Sequence, residues 1–437
     1  MTWAAEVVGA LDTNLAWNGS TLYTDAELSG DVMALLPLRG AASRAGRLPD
    51  GGWRFLRDPL GINKLFWVQD DLGRVTAASR PKRLIEQGWP FEAIWSFPRG
   101  AVIDVDDGHA TDHSIVPSQW WAPDSAHHAG LKQSGQDIRA ALDGYLAALA
   151  RAHPSSRTFV CLSGGLDSSG VAALARRHFP NLVAVSFDLA RPRGRASEDR
   201  LTAMRLAQHL GMPFLEATVA EEELFEPLDL VLEEGIDWRD FNVHAALVNA
   251  ALAHAIAQAA PHGEETQPIV LTGDLANEFL VDYHPEHYRG ATYYALPRLS
   301  PPALRTALVR GLDTSHREIG VFAAWGLAAV QPYAVATDIY LALPASLLAD
   351  EDRKRRLYRE VFGDGLPEYV FSRPKTRAQV GDPDIGGGVL AACIDRGFDS
   401  TWLRDRFARL HGVTDPRILS RFVRAGCYRS GIPSCAV

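Results

Sequence analysis

The sequence predicts a β half followed by an α/β half, and three observations carry that expectation. Turn residues punctuate the first 116 positions densely, as in Asp50-Gly51-Gly52, Asp58-Pro59-Leu60-Gly61, Asp70-Asp71-Leu72-Gly73 and Asp106-Asp107-Gly108. From position 136 the texture changes to strands alternating with helices. A serine–glycine loop, Ser163-Gly164-Gly165, stands at the first strand-to-helix junction. Short apolar runs between turn signals suit an antiparallel β domain. Strand–helix alternation suits a parallel sheet covered on both faces. The expected fold is therefore an N-terminal antiparallel β domain, then a doubly wound parallel sheet with a helical C-terminal part.

The elements follow in order. Leu65-Phe66-Trp67-Val68 and Ala101-Val102-Ile103-Asp104-Val105 read as strands of the β half. Positions 117–131 are rich in Pro, Ser, Ala and His and read as a linker, which divides the chain into domains 1–125 and 126–437. Ile138, Leu142, Tyr145, Leu146 and Leu149 recur at helical spacing over 136–153. Thr158-Phe159-Val160-Cys161-Leu162 is a short apolar run of the buried-strand kind. Further strands are expected at 182–187, 214–218 and 269–272, and helices at 168–178, 198–210 and 243–259. Beyond about 300 the pattern is mainly helical.

Composition narrows the function classes. The chain has 437 residues, 47% hydrophobic and 22% charged, which fits two globular domains and excludes global disorder. The most apolar stretch, 243–260, is interrupted by His244, Asn249, His254 and Gln258, so no membrane span is expected. Met1-Thr2-Trp3-Ala4-Ala5-Glu6 has neither the basic start nor the apolar run of a signal peptide. With 44 Lys+Arg against 53 Asp+Glu, the net charge of −9 argues against a nucleic-acid partner. Cys161, Cys393, Cys427 and Cys435 are too few for a disulfide scaffold, and the Cys427/Cys435 pair lacks a second ligand pair at zinc-like spacing. A reduced, cytoplasmic protein is expected; a homodimer is compatible with the sequence.

The chemistry concentrates in Phe159-Val160-Cys161-Leu162-Ser163-Gly164-Gly165-Leu166-Asp167-Ser168-Ser169. Glycines after a strand let the backbone approach a phosphate, and the free N–H groups of the following helix point at the anion. Ser163, Ser168 and Ser169 add hydroxyl donors. Asp167 would repel phosphate unless Mg²⁺ lies between them, and carboxylate plus phosphate oxygens is a usual Mg²⁺ environment. The loop lacks the lysine of a Gly-x-x-x-x-Gly-Lys-Ser/Thr loop, so γ-phosphoryl transfer is not expected.

Ser163-Gly164-Gly165-Leu166-Asp167-Ser168-Ser169 resembles the PP-loop of the ATP pyrophosphatases, in the form found in class B asparagine synthetases. The likeness extends, more weakly, to Val185-Ser186-Phe187 with Glu198-Asp199. It continues in Leu271-Thr272-Gly273-Asp274-Leu275-Ala276-Asn277-Glu278, similar to the family's Leu-Ser-Gly-Glu-Gly-x-Asp-Glu. Lys354 with Leu357-Tyr358-Arg359, Leu366-Pro367-Glu368 and Arg373-Pro374-Lys375 resemble its C-terminal block. Arg57-Asp58-Pro59-Leu60-Gly61 and Phe97-Pro98-Arg99-Gly100 resemble the later part of its glutaminase domain. The resemblance implies ATP and Mg²⁺ as cofactors. Ser163, Gly164, Gly165, Asp167, Ser168 and Ser169 would hold pyrophosphate, and Leu162, Phe187, Thr272 and Gly273 the adenosine. Asp167, Asn277 and Glu278 would hold metal, and Lys375 would be the catalytic lysine.

Departures from the family shape the expected function. The glutaminase half of the family uses a cysteine directly after the initiator Met, where this chain has Thr2, and the first cysteine is Cys161. Without a thiol to attack glutamine, the β domain reads as a degenerate glutaminase with a structural role. β-Lactam synthetases and lasso-peptide cyclases share this loss. Asn277 stands where the family has its second Mg²⁺ carboxylate, and a neutral oxygen there weakens metal binding or shifts it toward Glu278 or Asp274. Asp274 stands where asparagine synthetases have Glu and β-lactam synthetases a catalytic Tyr.

The expected reaction joins a small-molecule or peptide carboxylate to an amine through an acyl-adenylate, without glutamine hydrolysis, as in natural-product metabolism. Asp274 would orient or deprotonate the amine, with Asp313 or Glu318 as a second carboxylate. Alternatives are a lasso-peptide or lactam-forming macrocyclase and a non-catalytic ATP-binding scaffold. The run Asp282-Tyr283-His284-Pro285-Glu286-His287-Tyr288 reads as a substrate-contacting loop, because Pro285 prevents the helix that would align its histidines on a metal. Gly386-Gly387-Gly388 follows no strand, so it reads as a lid and not as a dinucleotide fingerprint.

Overall fold

The computed structural model describes residues 5–106, 109–115, 130–190, 196–260, 266–381, 387–415, 417–424 and 426–432. Thr2, Cys435, Gly386 and the expected boundary at 125/126 lie outside the described residues.

The N-terminal half stacks two four-stranded sheets. Its strands are β1 (Ala5–Val7), β2 (Ser43–Arg47), β3 (Trp53–Arg57), β4 (Phe66–Gln69), β5 (Val75–Ala78), β6 (Trp95–Ser96), β7 (Ala101–Asp106) and β8 (His109–Ser114). The sheets are ordered β1-β5-β4-β6 and β2-β3-β7-β8. Every neighbouring pair is antiparallel except β1 with β5. Phe55, Trp67, Phe97 and Ile103 meet between the sheets. There Trp67 lies edge-on to Phe97 at 4.7 Å and to Phe55 at 5.4 Å, geometries that add to the burial of large rings.

The second half is a parallel sheet of β9 (Thr158–Cys161), β10 (Val183–Leu189), β11 (Phe214–Val219), β12 (Ile269–Leu271) and, beyond the hairpin of β13 (Glu286–Tyr288) and β14 (Ala291–Tyr293), β15 (Ala328–Val330). The order is β11-β10-β9-β12-β15, all parallel. The direction of winding reverses between β9 and β12. Open α/β sheets bind ligands outside the C-terminal ends of the strands at such a reversal. The loops after β9 and β12 are the two segments with chemistry-bearing residues, so the topology brings them together. Helices Leu131–Ala152, Leu166–Ala175, Glu198–His209 and Asp240–Ala259 accompany this sheet, and the chain after 300 is mainly helical.

The halves share one continuous apolar core. After β16 (Val423–Arg424) and β17 (Cys427–Tyr428), the chain returns to the N-terminal sheets. The Ser96 N–H donates to the Arg429 carbonyl at 2.9 Å, and Trp67 Nε1 donates to the Gly431 carbonyl at 2.9 Å. Buried polar pairs cross the same boundary. Arg80, itself paired with Asp12 at 3.0 Å, reaches across to Glu234 at 2.6 Å, and Lys64 Nζ donates to the Leu312 carbonyl at 3.1 Å. Asp313, expected as an assisting carboxylate, is one of these pins. It pairs with the fully buried Arg57 at 2.9 Å and accepts the Tyr428 N–H at 3.2 Å. Its carboxylate serves the seam between the halves and not the reacting groups.

Candidate active site

The loop after β9 is shaped for an anion. Gly164 has φ +74, and a Cβ there would lie 2.7 Å from Thr202, so the turn requires glycine. Ser163 N–H donates to Ser168 Oγ at 3.2 Å, and the two serine hydroxyls lie 3.1 Å apart. Gly165 caps helix Leu166–Ala175 with no side-chain hydrogen bond, leaving first-turn N–H groups for a ligand. Gly273 packs so closely that a Cβ would lie 2.7 Å from the Ser168 nitrogen. Side-chain-free backbone thus allows the β12 loop to meet the PP-loop.

Two lysines from the C-terminal block reach the same place. Lys354 Nζ donates to Asp167 Oδ2 at 2.6 Å, Asn277 Oδ1 at 2.5 Å and Asp282 Oδ2 at 2.8 Å. Lys375 Nζ donates to Asn277 Oδ1 at 2.9 Å and Asp282 Oδ2 at 2.8 Å. Arg373 latches this segment to the loop, donating to the Ser163 carbonyl at 3.0 Å and pairing with Asp199. Burial, then the neighbouring Lys354 ammonium, brings Lys375 down to about 8. Burial raises the Asp282 carboxyl, but Lys354 and Lys375 outweigh it and hold it well below the usual range. Because residue 277 is Asn, two ammonium groups face two carboxylates, and the cluster is balanced.

A second group centres on Arg317. It pairs with Glu318 at 2.5 Å, donates to Asn242, and lies 3.8 Å from Glu278. Burial raises Glu318 to about 7 against the pull of Arg317, and the charge of Asp274 adds to the rise. Leu275 occupies a position that is Gly in the resembling motif, yet it has φ +81. Non-glycine backbone in that region is strained and concentrates at functional sites.

A cleft of about 420 Å³ is lined by Leu162, Ser163, Gly165, Asp167, Ser168, Phe187, Thr272, Gly273, Asp274, Asn277, Glu318 and Lys375. Gly164 and Ser169 sit behind its wall, and Ser169 is fully buried. Glu278 lies off this cleft, with Oε1 accepting the Tyr283 hydroxyl at 2.6 Å, so it does not join Asp167 and Asn277 in a metal set. Lys354, Asp282 and Arg317 are further members of the site. Lys354 belongs to the C-terminal block that resembles the family and Asp282 to the loop expected to contact substrate; Arg317 carries no sequence signal. Among the described residues no three His, Cys, Asp or Glu are arranged to hold a metal. Asp167 Oδ1 is buried and without a partner, so the donors fit a magnesium ion held by one carboxylate together with phosphate oxygens. Burial raises the thiols of Cys161 and Cys393, which suits neither to nucleophilic attack.

Residues 147–320 match the asparagine synthase family. A carboxyethyl-arginine β-lactam synthase from Streptomyces clavuligerus is 28% identical over 293 residues, covering 64% of this chain and 51% of that protein. The matched segment, within the α/β half, is asparagine synthetase-like. The chain spans about half the length of this curated relative. Solved structures similar to this chain include NMN synthetase from Francisella tularensis. It is 15% identical, with 65% of this chain and 94% of that one covered and a TM-score of 0.30. Another is NH3-dependent NAD synthetase from Campylobacter jejuni subsp. jejuni, at 17%, 40%, 73% and 0.25 respectively.

Proposed function

We propose that the protein is an ATP-dependent synthetase that adenylates a carboxylate and passes the acyl group to an amine. A carboxylate oxygen attacks the α-phosphorus, the bond to the bridging oxygen breaks, and pyrophosphate leaves with the bonding pair. The neutral amine nitrogen then attacks the acyl carbon, the bond to AMP breaks and AMP leaves with the bonding pair, and the nitrogen gives up one proton. The PP-loop N–H groups and Ser163 and Ser168 hold the leaving pyrophosphate. Lys375 stabilises charge on the transferring oxygens. Asp274 orients the amine and Glu318, raised to about 7, takes a proton from it. Magnesium, held by Asp167, would neutralise phosphate charge. Leu162, Phe187, Thr272 and Gly273 face the adenosine. We place the reaction in cytoplasmic specialised metabolism, where ATP is supplied. No helix among the described residues is long and apolar enough to cross a membrane.

The observation that carries this reading is the convergence of an uncapped, serine-lined helix start with Lys354 and Lys375 in one cleft, beside the Arg317 carboxylate group. The test is substrate-dependent pyrophosphate release across a panel of acids and amines, with products weighed by mass spectrometry. Release of pyrophosphate together with AMP is expected. Release of ADP and phosphate, or ATP binding with no turnover on any acid, would overturn it. A product lighter than its acid by one water, formed with no added amine, would identify intramolecular closure as the form the reaction takes.

A further inference from the structure

A second cavity of about 630 Å³ adjoins the nucleotide cleft. The two share Phe241, Tyr283, Arg317 and Glu318. Its volume is that of a pocket for a drug-sized ligand, far more than ammonia needs. Much of its wall is apolar: Leu275, Leu296, Leu304, Leu308 and Ile319, with Ile62 contributed by the N-terminal half.

The charges on the wall are not equally satisfied. Each cation already has acceptors. Lys64 Nζ donates to the carbonyls of Gly61 and Leu312. Arg239 pairs with Asp237 at 2.5 Å and donates to Thr314 Oγ1 at 2.7 Å, and Arg317 is held by Glu318 and Asn242. Glu278 is different. It is 6% exposed; Oε1 accepts the Tyr283 hydroxyl and lies 3.8 Å from Arg317, while Oε2 is buried with no partner among the described residues. A buried carboxylate oxygen without a donor is unusual, and an ammonium carries three donors and no acceptor. Leu275, Tyr294 and Ser315 on the same wall have φ of +81, +56 and +66. Strained backbone of this kind gathers at ligand clamps.

We infer that this chamber binds the amine substrate, and that the substrate is a primary amine on a bulky apolar body, its ammonium held by Glu278 Oε2. The word substrate rests on the synthetase reading; the binding does not. Tyr283 ties Glu278 to the opening shared with the cleft, so an amine docked there lies at the passage to Glu318 and Asp274.

The test is calorimetric titration of the full chain, without nucleotide, using 2-phenylethylamine, its neutral analogue 2-phenylethanol, and ammonium. A charge-assisted hydrogen bond exceeds a neutral one by enough to give on the order of tenfold tighter binding. 2-Phenylethylamine is therefore expected to bind about tenfold more tightly than 2-phenylethanol, and ammonium more weakly than either. Glu278→Gln should abolish the preference for the amine while the alcohol still binds. Leu308→Trp, which fills the chamber from another element, should weaken both. Equal affinity for amine and alcohol, no binding of either, ammonium binding as tightly as the aryl amine, or a preference that survives Glu278→Gln would each overturn the inference. Should Glu278→Gln fail to fold, Leu308→Trp and the amine–alcohol comparison on the unaltered chain still decide it. ATP binding is measured in parallel. Amine preference without ATP binding would refute the synthetase reading alone, and the reverse would refute the chamber alone.

Discussion

Lys354→Met removes the ammonium that joins Asp167, Asn277 and Asp282. Lys354 is 8% exposed, with Nζ 2.6 Å from Asp167 Oδ2 and 2.8 Å from Asp282 Oδ2. After the change Asp282 keeps Lys375 at 2.8 Å, but Asp167 loses the ammonium bonded to it. Removing one partner of a buried ion pair costs about 3–5 kcal/mol, because the remaining charge is left uncompensated. Methionine refills much of the lysine stem, and one of the two carboxylates keeps a cation, so a loss near the lower end, about 3 kcal/mol, is expected. Asp167→Asn in the same background removes the stranded charge. The double variant should therefore lose less than the sum of the singles, by about 0.5–3 kcal/mol. Urea unfolding followed by tryptophan fluorescence measures all four corners of the cycle. The pH dependence has a definite sign. Asp282 is depressed in the folded state despite burial, so its contribution is fully present above the unfolded carboxyl value of about 4 and lost as pH falls below it. With Lys354 gone the depression shrinks, and the variant should lose less stability over that acidic range than the unaltered chain. A neutral-pH loss below about 1 kcal/mol, strict additivity with Asp167→Asn, or an unchanged acid slope would refute the reasoning.

Lys375→Met should lower kcat for pyrophosphate release by on the order of 10²–10³ and leave KM for ATP within about twofold, since a point charge serves where charge grows during reaction. With Glu318 raised to about 7, the rate should climb as pH rises through about 7, and Glu318→Gln should flatten that limb and lower the plateau. Asp313→Asn strands the fully buried Arg57 guanidinium, so urea unfolding should show a loss of about 3 kcal/mol while KM for ATP holds.

The PP-loop was legible because its chemistry lies in one unbroken string, and the strands and helices around it because their spacing is regular. β15 was not, since Ala328-Ala329-Val330 is a short apolar run with no alternation, wholly buried, within a mainly helical stretch. Nor could spacing show that β1 pairs with β5 in parallel, because pairing direction is a long-range property. Asp313 and Glu318 belong to one short segment and look alike as letters; only the packed chain turns the first to Arg57 and the second to the cleft. Glu278 could have been separated from Asn277 beforehand. Adjacent positions on helix Ala276–Leu280 do not share a face, so one turns toward the lysines and the other toward Tyr283. Lys354 meets Asp167 across 187 positions, a distance at which no local pattern speaks.

The buried seam between the halves also bears on how this protein could be re-engineered or could have diverged. Asp12, Arg57, Lys64 and Arg80 have partners on the far side, among them Asp313, Leu312, Glu234 and His316. Transplanting either half alone onto a relative's counterpart would present these groups to strangers, and a mismatch at Arg57–Asp313 or Arg80–Glu234 would bury an unanswered charge. The two halves therefore behave as one unit in any graft. A graft that keeps these pairs intact has to move both halves together.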